Sequence, residues 1–357
     1  MRKMLLLCVV LVVALLLIRN TGRMKDQIEW RANPELPTLK EDWRGNIVVA
    51  GRFRNDSLSR DASFRDVMRW KFSRNPQRDE KRSDTFRVRV EPLNAGDVPA
   101  KENSLVWLGQ ASFLITVGGV RLATDPCFFD LPLSRRLAAM PCSADTLPPV
   151  DYILVSHSHR DHFDRRSVEA LLRTNPAMEA LVPLGGDRLF SGRTLAGIRR
   201  QEAGWYQEYR LTDGVRVIFL PARHWGRRGL SDTNRTLWGS FLIIADGVKI
   251  FFAGDTGYDG RMFREVRGLF GDIDICLLPI GAYSPQFMMK RSHMNPEEAV
   301  QALLDMGGGV LVPMHYGTYD LSDEPLGEPL QRLWQRAAEL GVEDHVKALA
   351  VGEILKF

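Results

Sequence analysis

Three of the seven histidines in this 357-residue chain fall within six positions, His157-Ser158-His159-Arg160-Asp161-His162. They follow Tyr152–Ser156, a short apolar run that predicts a buried strand. An extended exit from that strand sends His157 and His159 to the same side. Asp161 and His162 then fall on the turn before a helix capped by Asp164 and expected to run to Leu172. Four side chains able to ligate a metal thus reach one loop edge. Zinc takes imidazole nitrogen and carboxylate oxygen, and catalytic zinc sites keep a position open for water. A random surface cluster of this composition is improbable, so the chain must fold to present this loop from a strand end.

The surrounding pattern predicts a layered α/β domain with a mixed sheet. Strands are expected at Leu105–Leu108, Ser112–Val117, Val120–Thr124, Val215–Leu220, Ser240–Ala245, Lys249–Ala253, Ile275–Pro279 and Val310–Pro313. Gly118-Gly119 marks a hairpin turn. Asn295 caps a helix that begins at Pro296 and runs to Met306, and Gln331–Leu340 reads as a last helix. Residues 19–100 are polar and irregular, with one candidate helix around Ser63–Phe72. We read them as an extension packing on a main domain of residues 101–357.

Residues 1–18 differ in kind. Arg2 and Lys3 precede an unbroken apolar run from Met4 to Ile18. As a helix the run spans roughly 22 Å, short of the ~30 Å bilayer core. No small-x-small cleavage site follows it, so an uncleaved N-terminal hydrophobic anchor is the expectation, placing the protein on a membrane. Basic residues flank both ends, which leaves its orientation open. The net charge of +4 suits an anionic lipid surface and equally an ordinary solvated one. Basic residues cluster between Arg52 and Arg89, but no aromatic-interleaved motif accompanies them, so nucleic acid is not an expected partner. The four cysteines form no Cys-x-x-Cys pair. Cys276 reads as a buried free thiol, while Cys127 and Cys142 could pair in an oxidising compartment.

The His-x-His-x-Asp-His order resembles the metallo-β-lactamase superfamily. That resemblance implies an αββα sandwich of two mixed β-sheets flanked by helices. It also calls for three more ligands at strand ends, and His224, Asp255 and His315 stand there, in Pro221-Ala222-Arg223-His224, Ala253-Gly254-Asp255-Thr256-Gly257 and Pro313-Met314-His315-Tyr316-Gly317. By the same resemblance His157, His159 and His224 would bind one Zn2+ ion. Asp161, His162 and His315 would bind a second, and Asp255 would bridge the two. Such a pair clamps a hydroxide able to attack a substrate centre directly, and Asp161 and Asp255 would help orient it.

Within the superfamily, residues Asn103 to Asp323 are similar to the N-acylphosphatidylethanolamine-hydrolysing phospholipase D family. The likeness is carried by Trp107-Leu108-Gly109, Asp125-Pro126, Leu147-Pro148-Pro149-Val150-Asp151, Leu237-Trp238-Gly239-Ser240, Pro279-Ile280-Gly281-Ala282-Tyr283 and His315-Tyr316-Gly317-Thr318. It implies a phosphodiesterase that releases phosphatidic acid and an N-acylethanolamine from a membrane phospholipid, and suggests a homodimer. His293 matches a family histidine and is expected near the substrate phosphate or leaving group, as a third catalytic candidate beside Asp161 and Asp255. Gln110 departs from the pattern, standing where that family usually has a histidine. Two other readings stay open: a metal-dependent lactonase or other carbonyl hydrolase on the same site, and a membrane-anchored scaffold with a structural metal site.

Overall fold

In the strands on either side of the histidine-rich loop, alternate residues go to different cores. Leu105, Trp107, Phe113, Ile115, Leu122, Leu154 and Leu181 face one buried cluster. Their neighbours Val106, Leu108, Leu114, Ala123, Ile153 and Ala180 face another, shared with Phe163, Val168 and Leu171. A strand apolar on both faces must be covered twice. A second sheet covers one side, and the helix Arg165–Thr174 covers the other.

A computed structural model describes residues 28–55, 64–211 and 214–357. Among these, one sheet runs in the order Ile354–Lys356, Ser104–Gly109, Ser112–Val117, Val120–Thr124, Tyr152–Leu154, Glu179–Pro183 and Arg199–Ala203. Its first four strands pair antiparallel and the rest parallel. The facing sheet runs Gln207–Tyr209, Arg216–Leu220, Ser240–Ala245, Val248–Phe252, Ile275–Pro279 and Val310–Met314. It too passes from antiparallel to parallel pairing, at Val248–Phe252. Helices Gly260–Phe270, Pro296–Asp305 and Glu328–Leu340 add Phe263, Val266, Leu303, Leu333 and Ala337 to the core of that sheet. The layers are helix, sheet, sheet, helix, and both sheets are mixed.

Local chemistry sets the helix starts. Asp164 accepts the backbone N–H of Ser167, and Asn295 forms a reciprocal capping box with Glu298 ahead of Pro296. Asp164 follows the ligand candidate His162 by two residues and Asn295 follows the catalytic candidate His293 by two, so each cap also fixes where a site loop ends.

The described residues between 28 and 100 are more regular than their sequence suggests. Ile28–Arg31, Asn46–Val49 and Arg52–Phe53 form an antiparallel sheet, and Phe64–Phe72 is a helix. Strands of four, four and two residues are too short to show periodicity. The segment that carries them bonds to later parts of the chain: Leu39 N–H to Tyr206 O at 2.8 Å, and Phe53 N–H to Asn234 O at 2.7 Å. Trp70 Nε1–H reaches Asp323 at 2.9 Å. The apolar run Met4–Ile18 lies outside the described residues, and no helix among the described residues is long and apolar enough to cross a membrane. Cys127 and Cys142 do not pair; both are free thiols. Cys127 is instead buried with its sulfur 3.3 Å from the Tyr319 hydroxyl.

Candidate metal centre

The carboxyl ends of strands from both sheets meet on one side of the sandwich, the usual place for a site in such sheets. Tyr152–Leu154 leads to His157, Arg216–Leu220 to His224, Val248–Phe252 to Asp255 and Val310–Met314 to His315. Two glycines make the approach possible. A Cβ on Gly254 would lie 2.6 Å from the Ser156 Cβ, and one on Gly281 would lie 2.2 Å from the His315 carbonyl oxygen.

Seven side chains named from sequence converge in two overlapping groups. His157, His159, His224 and Asp255 form the first, and Asp161, His162, Asp255 and His315 the second, with candidate ligand atoms in each group within 4.8 Å of one another. Asp255 belongs to both. In the first group, His159 Nδ1 is 2.9 Å from His157 Nε2 and 3.1 Å from His224 Nε2. In the second, Asp255 Oδ2 is 3.1 Å from His162 Nε2, and Asp255 Oδ1 is 3.2 Å from His315 Nε2. His315 Nε2 and His162 Nε2 lie 3.3 and 3.4 Å from Asp161 Oδ2.

Partners on the far ring nitrogens fix the tautomers. His224 Nδ1–H donates to the Ser292 carbonyl at 2.9 Å, and His162 Nδ1–H donates to Asp125 Oδ2 at 2.7 Å. Ser156 gives its hydroxyl hydrogen to Asp125, so His157 Nδ1–H donates to Ser156 Oγ at 2.9 Å. Each of these rings therefore turns Nε2 toward the cluster, the arrangement of a metal-ligating histidine. The buried His162 Nε2 and Asp255 Oδ1 have no aligned hydrogen-bond partner. Ligand atoms around one tetrahedral ion with bonds of about 2.0–2.1 Å stand roughly 3.3 Å apart. The donor types and spacings fit two such cations.

Electrostatics divides the histidines. Burial, reinforced by neighbouring histidines, holds His157 well below its ordinary value. Burial also takes His159 down to about 4 and His224 and His293 to about 3. Burial pulls on His315 as well, but Asp255 and Asp161 outweigh it and hold the ring up at about 9. Burial opposes charge on Asp255, yet His162 and His315 keep this carboxylate well below its usual range. Without metal, the two carboxylates are balanced by protons on the second group of histidines.

His293 lies beside the seven. Its Nδ1 is 3.8 Å from Asp255 Oδ2 and has no hydrogen-bond partner, and its ring meets His224 edge-on at 5.1 Å. Gln110, the departure from the family pattern, donates Nε2–H to Asp161 Oδ2 at 3.0 Å. Sequence reading missed the role of Asp125. This fully buried carboxylate accepts Ser156 N–H at 2.7 Å, the Ser156 hydroxyl at 2.6 Å and His162 Nδ1–H. Its place at the end of Val120–Thr124, next to the strand that feeds the histidine loop, was the available signal.

A family model described as a beta-lactamase superfamily domain matches residues 121–316. The chain belongs to the metallo-β-lactamase superfamily. Among its relatives, the N-acyl-phosphatidylethanolamine-hydrolyzing phospholipase D of Saccharomyces cerevisiae, described as mitochondrial, is 32% identical over 345 residues, 94% of this chain and 69% of that one. An uncharacterized protein of Mycobacterium tuberculosis is 38% identical over 243 residues, 66% of this chain. The match spans 64% of that relative's length. A metallo hydrolase from the archaeon Ignicoccus hospitalis shares the fold, with a TM-score of 0.55 and 22% identity over 72% of this chain and 99% of that one.

Proposed function

We propose that this hydrolase cleaves the head-group phosphodiester of a membrane phospholipid, with N-acylphosphatidylethanolamine as substrate, using two zinc ions. His157, His159, His224 and Asp255 would hold one ion, and Asp161, His162, His315 and Asp255 the other. When bound, such ions acidify water and polarise a phosphoryl oxygen. The chain's own contribution is orientation. Asp125 locks the His162 ring, Gln110 steers Asp161, and the Ser292 carbonyl sets His224. His293 presents a partnerless Nδ1 beside Asp255, where it can bond to a substrate oxygen.

The observation that carries the lipid reading is a largely apolar groove of about 420 Å³ between residues of the N-terminal extension and the metal domain. Trp30, Trp43, Trp205, Tyr206 and Met262 line it, and Arg223, next to His224, stands at one side. Asn55, also in its wall, donates to the His224 carbonyl at 2.9 Å. An acyl chain suits such a surface, whereas a small lactone would leave it empty. The yeast relative named for this substrate is similar across the same extension.

Product analysis tests the proposal. The full chain would be given N-acylphosphatidylethanolamine in mixed micelles, with a lactone and a simple phosphodiester in parallel. Release of N-acylethanolamine and phosphatidic acid is expected. Lactone opening with no lipid turnover would overturn the substrate assignment and keep the metal-dependent hydrolase.

A further inference from the structure

Two leucines next to the metal loop are almost wholly in water: Leu133 is 100% and Leu230 is 95% exposed. Single exposed leucines are common. These two sit at the tips of turns that are held shut behind them. Leu131 and Ser134 bond to each other through both backbone N–H groups, at 2.9 and 3.3 Å, which pushes Leu133 outward. Asp232 accepts Gly229 N–H at 2.8 Å and Arg228 N–H at 3.2 Å, which does the same for Leu230.

Both turns are fastened to the metal loop and its helix. Arg160, within the ligand run, donates to Arg228 O at 3.3 Å, and Arg228 donates to Phe163 O at 2.7 Å. On the other side the Cys127 sulfur lies 3.8 Å from Arg160 O, and the Arg166 guanidinium stands 5.1 Å from the centre of the half-exposed Phe129 ring. Around the leucines, exposed guanidinium groups outnumber the carboxylates. Arg135, Arg160, Arg166 and Arg227 are exposed. The acidic side chains of the two turns, Asp130 and Asp232, are committed to backbone N–H groups at Arg136, Arg228 and Gly229. Protruding apolar tips ringed by guanidinium groups are suited to an anionic bilayer, where the tips enter the acyl boundary and the cations meet phosphate.

We infer that the turns 129–135 and 227–231 form a docking surface for an anionic lipid bilayer, placing the mouth of the metal centre against the membrane. The inference rests on the lipid reading above, because a bilayer substrate needs the site at the surface. It assigns the contact to residues of the catalytic domain, separate from the apolar run 4–18.

Hydrogen exchange on the full-length protein tests it, with phosphatidylcholine vesicles made with and without phosphatidylserine. Amides in 129–135 and 227–231 are expected to slow by about tenfold on the phosphatidylserine vesicles, with Glu328–Leu340 unchanged. The protection should be largely lost in the double variant Leu133→Ser, Leu230→Ser, with metal content unchanged. Unprotected turns on vesicles that the chain nonetheless binds would overturn the inference. So would protection that follows protein concentration without lipid, which would assign the face to a second copy. Protected turns with no cleavage of phospholipid would uphold the docking surface and reject the proposed substrate.

Discussion

Asp125 Oδ2 accepts the Nδ1–H of His162 at 2.7 Å, and both side chains are completely buried. The pair decides which nitrogen His162 offers to the cluster. Asp125→Asn keeps the shape but can offer the ring an amide N–H in place of a carboxylate, weakening its hold on the tautomer. Loss of such a partner typically costs about 10- to 100-fold in metal affinity or activity. Metal competition with a chromophoric chelator measures the first, and unchanged affinity would remove Asp125 from the account.

Gln110 donates to Asp161 Oδ2, the same oxygen that faces His162 and His315. Gln110→Leu should lower turnover by roughly tenfold while leaving both metals bound, because the carboxylate keeps its neighbours His162 and His315. Gln110→His should retain more activity than the leucine variant, since a ring N–H can again meet Asp161. Steady-state kinetics with metal analysis on the same samples separates the two effects.

The histidine loop was legible in the sequence, and the carboxylate behind it was not. His157, His159, Asp161 and His162 were legible because they are dense in a chain poor in histidine. His224, Asp255 and His315 became legible only by resemblance, as single residues after strands. Asp125 was hidden because its backbone has a positive φ of 35° and its partners lie 31 and 37 residues away. The strand Arg199–Ala203 was hidden for a different reason. Its sequence Arg-Arg-Gln-Glu-Ala is polar because it forms the sheet edge, where only one residue is buried. The helix Gly260–Phe270 opens on glycine, which masks a start that Asp259 caps.

Metal uptake should release protons. His315 is held at about 9 by Asp255 and Asp161 against the pull of burial, so it carries a proton in the metal-free protein at neutral pH. A metal must displace that proton, and apparent affinity should rise with pH up to about 9. The sign for stability is opposite. A folded value raised above the ordinary 6.5 gives stabilisation that is full below about 6.5 and lost as pH rises through about 9. The melting temperature of the metal-free protein should therefore fall across that window, and the metal-loaded protein should be much less sensitive. Equal slopes for the two forms would contradict this.

Glu324 supports the loop behind His315. Its buried carboxylate accepts Ala282 N–H at 2.6 Å, Ser284 N–H at 3.0 Å and the Ser322 hydroxyl at 2.6 Å. Glu324→Ala strands the Ala282 N–H, which is buried, and frees the other two donors. The expected cost is about 3 kcal/mol of unfolding free energy, read from urea denaturation, with Glu324→Gln losing less.

The central claim is that Asp255 joins two metal positions into one hydrolytic centre. The direct measurement is metal content by mass spectrometry on the full chain and on Asp255→Asn, with hydrolysis of N-acylphosphatidylethanolamine followed in the same preparations. The account predicts two zinc ions per wild-type chain, and loss of metal together with hydrolysis in the variant. Undiminished hydrolysis by protein stripped of metal would contradict it.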